Sequence, residues 1–377
     1  MVTKSLRLLL VFLFLQAATL SHASAPNTVV ATINVGQNPS SIAITPDSRF
    51  AYVTNSNNNG VPGGSTVSVL NLMNNTQQQS IYDPSFSEPY RVTINPAGTL
   101  AYVSNSGGST VTIINIATNT VSGVIDGFDG PTGMVITPNG MIGYVNNYGA
   151  AGGVGSGNGT TVSVVSLVSN TIINTITVDQ APAALAISPN GAFVYSINYV
   201  DGEPNHGTMN VIQTSSNTVT ATIPGFSGPF GIAITPNGQY AYVTNFGSNN
   251  FYPVGTTVSV VNLSSNTIVA SPLVVIQPSG VAITPDGRYA YVTNYNTLYG
   301  NPSNFTDLVA GLGVITIIDT VTNTVVPPII GVGLSPDYMA IAPNGRYGYV
   351  TNYTSNTVTV VALSRSCQQS CCPYSCC

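Results

Sequence analysis

The chain has 377 residues, of which 5% are charged, and a formal net charge of −5. That balance excludes a reader of the phosphate backbone, whose affinity comes from Lys and Arg, and a hydrophobic content of 43% excludes a disordered chain. The 37 Gly and 25 Pro, set among many Val, Ile, Thr and Tyr, point to short strands joined by many turns.

The first 25 residues read as a signal peptide. Lys4 and Arg7 form a basic start, Leu8 to Leu15 an apolar core, and Ala23-Ser24-Ala25 a small-x-small cleavage pattern. Cleavage after Ala25 removes Lys4, which is the only lysine, and Arg7. It leaves 7 − 2 = 5 basic residues against 12 acidic ones, a net of −7. The expected product is secreted, periplasmic or held in the cell envelope. It has no apolar run near the ~18 residues of a spanning helix, hence no stable membrane insertion after cleavage. It also has no basic cluster for nucleic acid or anionic lipid.

From residue 27 to 364 the chain repeats. The stretch "ITPNGQYAYVTN" at 234–245 returns as "ITPDGRYAYVTN" at 283–294. Its proline recurs as Pro46, Pro96, Pro138, Pro189, Pro236, Pro285 and Pro343. A second proline stands ahead of each at constant spacing: Pro39, Pro89, Pro131, Pro182, Pro229, Pro278 and Pro336. Each unit reads as four strands, here a to d. In the fifth, Gly231 to Thr235 is a, Pro236-Asn237-Gly238 a turn with Gly in the left-handed region, and Tyr240 to Thr244 b. Thr257 to Leu263 is c, and d starts at Thr267 after Ser265-Asn266. Strand b carries no charge on either face, so both faces must be buried. Sheets buried on both sides and repeated every ~40–60 residues predict blades of a propeller rather than a stacked solenoid. The fold class is therefore all-β, a seven-bladed β-propeller of four-stranded antiparallel blades over residues 26–364.

The ends predict how the ring closes. The seventh unit stops after its third strand, near Leu363. The mature chain starts "NTVVATI" at 27–33, which matches "NTVTATI" at 217–223, the fourth strand of unit four. The N-terminal strand is expected to complete the last blade, leaving no unpaired ends.

The motif "YVTN" stands at 52–55, 242–245, 291–294 and 349–352, with variants "YVSN" at 102–105, "YVNN" at 144–147 and "YSIN" at 195–198. With the proline turn before it, this resembles the YVTN-repeat, YncE-like β-propellers of bacterial and archaeal envelopes. The resemblance implies a fold and an exported protein, and it assigns no site. Lactonase-type propellers are similar in architecture.

Antiparallel order puts the d–a and b–c connections on one face. The b–c connections vary widely in length, and variable loops on a rigid scaffold commonly carry binding. That face is the expected working face. Its channel mouth should be ringed by the residues after each first proline, where Tyr90, Arg91, Phe230, Asp337 and Tyr338 interrupt a small-residue background. These five are candidates for a small polar or anionic ligand, or alternatively an Arg91–Asp337 ion pair plugs the channel. Arg49, Arg288 and Arg346 flank the a–b turns and read as solvated. Tyr148, Tyr199, Phe246, Tyr295 and Tyr353 follow the last Asn of five repeats, and either stack on a glycan or peptide or brace the loops.

Asp201, Glu203 and His206 share one loop and are weak candidates for a divalent cation; no resident cofactor is expected. The tail, 365–377, holds all five cysteines: Cys367, Cys371, Cys372, Cys376 and Cys377. Export favours disulfides within the tail, disulfide-linked self-association or attachment to an envelope component, with soft-metal binding as the other reading. Together these features favour a non-enzymatic binding or scaffold module with a protein or envelope partner, or a glycan. The alternative is a lactonase-type hydrolase with a metal near the mouth.

Overall fold

A computed structural model describes residues 26–56, 65–149, 157–199, 205–247, 254–295 and 313–364. The expected signal peptide, Asp201, Glu203 and the cysteine tail lie outside them. The described residues form strands and turns without helices. The first strand, β1 (Thr28–Asn34), is followed by six four-stranded sheets built in chain order. The first blade is β2 (Pro39–Ile44), β3 (Phe50–Asn55), β4 (Thr66–Asn71) and β5 (Thr76–Ile81). The second is β6 (Pro89–Ile94), β7 (Leu100–Asn105), β8 (Thr110–Asn115) and β9 (Thr120–Asp126). The third is β10 (Pro131–Ile136), β11 (Ile142–Asn147), β12 (Thr161–Ser166) and β13 (Thr171–Thr177). The fourth is β14 (Pro182–Ile187), β15 (Phe193–Asn198), β16 (Gly207–Gln213) and β17 (Thr218–Phe226). The fifth is β18 (Pro229–Ile234), β19 (Tyr240–Gly247), β20 (Val254–Asn262) and β21 (Thr267–Ala270). The sixth is β22 (Pro278–Ile283), β23 (Tyr289–Asn294), β24 (Val314–Asp319) and β25 (Thr324–Gly331).

The seventh blade contains β26 (Pro336–Ile341), β27 (Tyr347–Asn352) and β28 (Thr357–Ala362), with β1 as its outer strand. β1 runs antiparallel to β28, from Thr28 opposite Ala362 to Asn34 opposite Thr357. The seven inner strands touch one another in turn and β26 returns to β2, so the ring is closed. The architecture is the seven-bladed propeller that the repeat predicts.

The core is seven separate layers, one between each pair of neighbouring blades. Tyr349, Val358 and Ile33 of the seventh blade pack on Ile42, Ala51 and Val53 of the first, and the other six junctions repeat the pattern. A blade alone would expose both of these faces, which is why the sequence must repeat.

Polar residues of the motif join these layers. The Asn that ends each second strand is buried, and its amide reaches the third strand. Asn245 Nδ2 donates to Thr257 Oγ1 at 2.8 Å and to Ser259 Oγ at 2.9 Å; Asn55, Asn105, Asn147 and Asn352 repeat the clamp. The tyrosine of the motif crosses to the next blade. Tyr144 Oη donates to Asn217 Oδ1 at 2.7 Å and Tyr242 Oη to Asn323 Oδ1 at 2.6 Å, and Tyr52 makes the same bond to Asn119.

Besides the a–b turn, where Gly or Ser48 is left-handed, two further left-handed backbone positions recur in every blade. One is the Asn that opens the fourth strand: Asn27, Asn75, Asn119, Asn170, Asn217, Asn266 and Asn323 all have φ between 53° and 58°. Asn tolerates this region best of the residues with a Cβ. The other precedes the first proline: Asn38, Glu88, Gly130, Ala181, Gly228, Gln277 and Ser335 have φ between 48° and 56°. Five residue types besides Gly accept a strained conformation there because the tight d–a corner requires it.

Candidate functional site

The inner strands aim the candidate residues at one end of the axial channel. Tyr90 and Arg91 stand on β6, Phe230 on β18, and Asp337 and Tyr338 on β26. Arg91 crosses in front of the first blade to reach the seventh. Its Cζ lies 4.8 Å from the ring centroid of Tyr338 and 5.9 Å from that of Tyr90, within cation–π range. Its stem passes over Gly133 of β10, where an added Cβ would come within 3.2 Å of Arg91 Cδ. One arginine side chain thus spans from blade two past blade three to blade seven.

Arg91 and Asp337 are close enough to feel each other's charge, but no ion pair forms between them. Arg288 does pair with a carboxylate, that of Asp319, at 2.6 Å. This corrects two expectations. The channel is not plugged by an Arg91–Asp337 pair, and Arg288 is not simply solvated. Asp337 is 7% exposed. Burial pushes its carboxyl up to about 7, opposed by the positive charge of Arg91.

The loop-face aromatics converge on the same mouth. Burial pushes the Tyr90 hydroxyl above its ordinary value, and Asp337, Tyr148 and Tyr295 add to the shift. Burial also raises Tyr295, with Asp337 contributing, while a hydrogen bond with Ser335 opposes. A chain of ring contacts runs from Phe230 to Phe246 (5.4 Å), to Tyr295 (6.1 Å) and to Tyr353 (6.5 Å). Tyr199 is buried and its hydroxyl donates to the carbonyl of Gly247 at 3.1 Å. These rings brace one blade against the next on the loop side of the channel.

His206 is exposed on its loop. Among the described residues no three His, Cys, Asp or Glu come together as a metal site. Glu88, before Pro89, has its Oε2 buried without a hydrogen-bond partner, and burial raises its carboxyl.

Below Arg91 the channel widens into a cavity of about 350 Å³. Arg91, Ser41, Gly133 and Tyr338 mark its inner end. Its wall runs along Ile44, Ile94, Ile136 and Ile187 to the exposed turn prolines Pro46 and Pro96. It therefore communicates with the a–b turn face, opposite the face singled out by loop length. The sequence did carry a signal for this wall. An Ile stands two residues before the turn proline in every repeat, namely Ile44, Ile94, Ile136, Ile187, Ile234, Ile283 and Ile341. The periodicity reads equally well as core, and these side chains do pack partly on the interblade layers.

Comparison with protein-family models finds no match. PE-PGRS family protein PE_PGRS18 of Mycobacterium tuberculosis is 42% identical over 59 residues, 16% of this chain and 13% of that protein. The chain thus matches only a small part of that relative's length. Among solved structures, Kuenenia stuttgartiensis hydrazine synthase superposes with a TM-score of 0.73 at 20% identity, over 91% of this chain and 99% of the other. At that identity the likeness speaks for the seven-bladed fold alone.

Proposed function

We propose that this chain is an exported, non-enzymatic binding module of the YVTN-repeat kind, which engages a protein partner through the face of its d–a and b–c connections. The observation that carries this reading is the braced aromatic surface at the mouth, where rings from blades five, six and seven pack in series. Such a surface is rigid before any partner arrives, so little conformational entropy is lost on binding. The cysteine tail, on this reading, secures the module to itself or to an envelope component.

A hydrolase of the lactonase type is less well supported. It needs acids gathered near the axis to hold a metal. The two at the mouth, Asp337 and Glu88, are both pushed toward their neutral forms by burial.

Capture experiments with the full chain on an envelope fraction test the proposal. Replacing residues 296–312 by a four-residue Gly-Ser link should abolish capture of a specific protein while the melting temperature stays within a few degrees. Equal capture by both forms, or no specific capture by either, overturns it. A large thermal stabilisation by a divalent cation, accompanied by ester or lactone hydrolysis, would favour the hydrolase.

A further inference from the structure

We infer that the axial cavity is a second binding site, separate from the loop face and reached from the a–b turns, whose ligand is a small monocarboxylate with an apolar body. Three observations lead there. First, the cavity is of the right size: about 350 Å³ lies at the lower end of the roughly 300–1,000 Å³ of small-molecule pockets. Second, part of its wall is apolar, through Ile44, Ile94, Ile136, Ile187, Met134 and Leu185, while Ser41, Thr93 and Asn95 add polar surface beside Arg91. The apolar side chains can receive an aliphatic or aromatic body.

Third, the ionised group that faces the cavity is an arginine held without a carboxylate. Tyr338 and Tyr90 lie against the guanidinium. Among the described residues none of its N–H groups has a hydrogen-bond acceptor, and Asp337 does not pair with it. A guanidinium held in this way presents its donors in a fixed fork, the geometry that receives both oxygens of a carboxylate. Thr93 also lines the cavity, but its hydroxyl is already committed to the carbonyl of Met134 at 2.7 Å. Recognition therefore falls to Arg91 at the inner end and to apolar contact along the wall.

The channel's asymmetry fixes the direction of approach. The aromatic mouth stands on the loop side, whereas Pro46 and Pro96 bring the lining out to solvent on the turn side. The ligand would enter apolar tail last, with its carboxylate leading toward Arg91. Occupation would leave the loop face free, so both sites can be filled together.

Calorimetric titration of the full chain with octanoate and with octanamide tests this. The expected result is saturable binding of one octanoate per chain, with octanamide at least tenfold weaker because it lacks the charge that Arg91 meets. Arg91→Gln should weaken octanoate at least tenfold. Ile187→Trp, which fills the wall near the turn face, should abolish octanoate binding while leaving protein capture at the loop face unchanged. Equal affinity for the acid and the amide, no saturable octanoate binding, or unchanged binding by a folded Arg91→Gln variant would each overturn the inference. The acid-to-amide comparison needs no variant, so it decides even if Arg91→Gln fails to fold. A full chain that binds octanoate but captures no specific protein would sink the loop-face proposal alone.

Discussion

Tyr291 Oη donates to Asn27 Oδ1 at 2.7 Å, and this bond joins the sixth blade to the strand that closes the ring. It is the same tyrosine-to-asparagine link that Tyr144 and Tyr242 make to Asn217 and Asn323. Here, however, its two ends are 264 residues apart in the sequence. Asn27 Oδ1 also accepts from the backbone N–H of Ser364, and Asn27 Nδ2 donates to Ser364 Oγ at 2.7 Å. One asparagine thus ties together the start of β1, the end of β28 and the neighbouring blade.

Removing the tyrosine hydroxyl should cost the net value of a buried hydrogen bond and leave an acceptor short of a partner. Tyr291→Phe is expected to lose ~1–2 kcal/mol in urea denaturation. Asn27→Gly should lose a similar amount. Asn27→Ala should lose more, because φ at this position is 58° and only Gly escapes the left-handed penalty. Deleting residues 26–34 should do far more than either, because it strips the seventh blade of its outer strand and exposes β28. The expected sign is loss of the single cooperative transition in calorimetry.

The buried Asn of the motif predicts a second effect. Asn245 is 4% exposed and holds Thr257 and Ser259 of the third strand; its Oδ1 accepts from the N–H of Ser227 at 3.2 Å. Asn245→Leu keeps the volume but leaves two hydroxyls and an amide without this partner. Each such orphan costs roughly 1–3 kcal/mol when no water reaches it. The variant should lose ~2–4 kcal/mol, measured by the shift of the urea midpoint at constant slope.

How far the sequence discloses the protein depends on whether a residue's role is local or axial. The repeat, the proline turns and the strand faces are local, so blade number, strand order and the closing strand could all be read. Asn245 and Tyr242 were visible as motif letters, but their partners lie on another strand or another blade, which spacing does not reveal. The mouth could be placed by counting from the first proline, and Arg91, Tyr90, Asp337 and Tyr338 do meet there. What counting could not supply was the side-chain path. Arg91 passes over Gly133 and lies against Tyr338, so it does not pair with Asp337. The cavity below was hidden for the same reason, because a ring of Ile residues looks identical whether it packs on a layer or borders a hole.

The corner before each first proline predicts two changes of opposite sign. Ala181 and Gly228 occupy the same position in adjacent blades, both at φ 56°. Ala181→Gly should relieve a left-handed alanine, a gain of about 1 kcal/mol before the larger entropy of the unfolded glycine chain is subtracted. Gly228→Ala adds the same strain and also collides. Its Cβ would stand 2.1 Å from the carbonyl oxygen of Gly247. A loss of at least ~2 kcal/mol is expected, and equal melting temperatures for the pair would count against the geometry.

Asp337 should make stability depend on pH in the direction opposite to that of a paired carboxylate. Its folded value is near 7, raised by burial from an ordinary 3.8. The folded protein therefore holds a proton that the unfolded chain releases. The associated stability is complete below about pH 4, and it is lost as pH rises through 7. Three units at ~1.36 kcal/mol each set an upper bound of ~4 kcal/mol on that loss, and a realistic value is about half. Glu88 is displaced the same way, so the informative quantity is the difference between the native chain and Asp337→Asn. The Asn variant cannot ionise, so its stability should vary less between pH 5 and 8.5, and at pH 8.5 it should exceed the native chain's. Urea denaturation at the two pH values measures this directly. A native chain more stable at pH 8.5 than its Asn variant would mean that Arg91 offsets the burial of Asp337 completely, and the mouth would then hold an ionised pair after all.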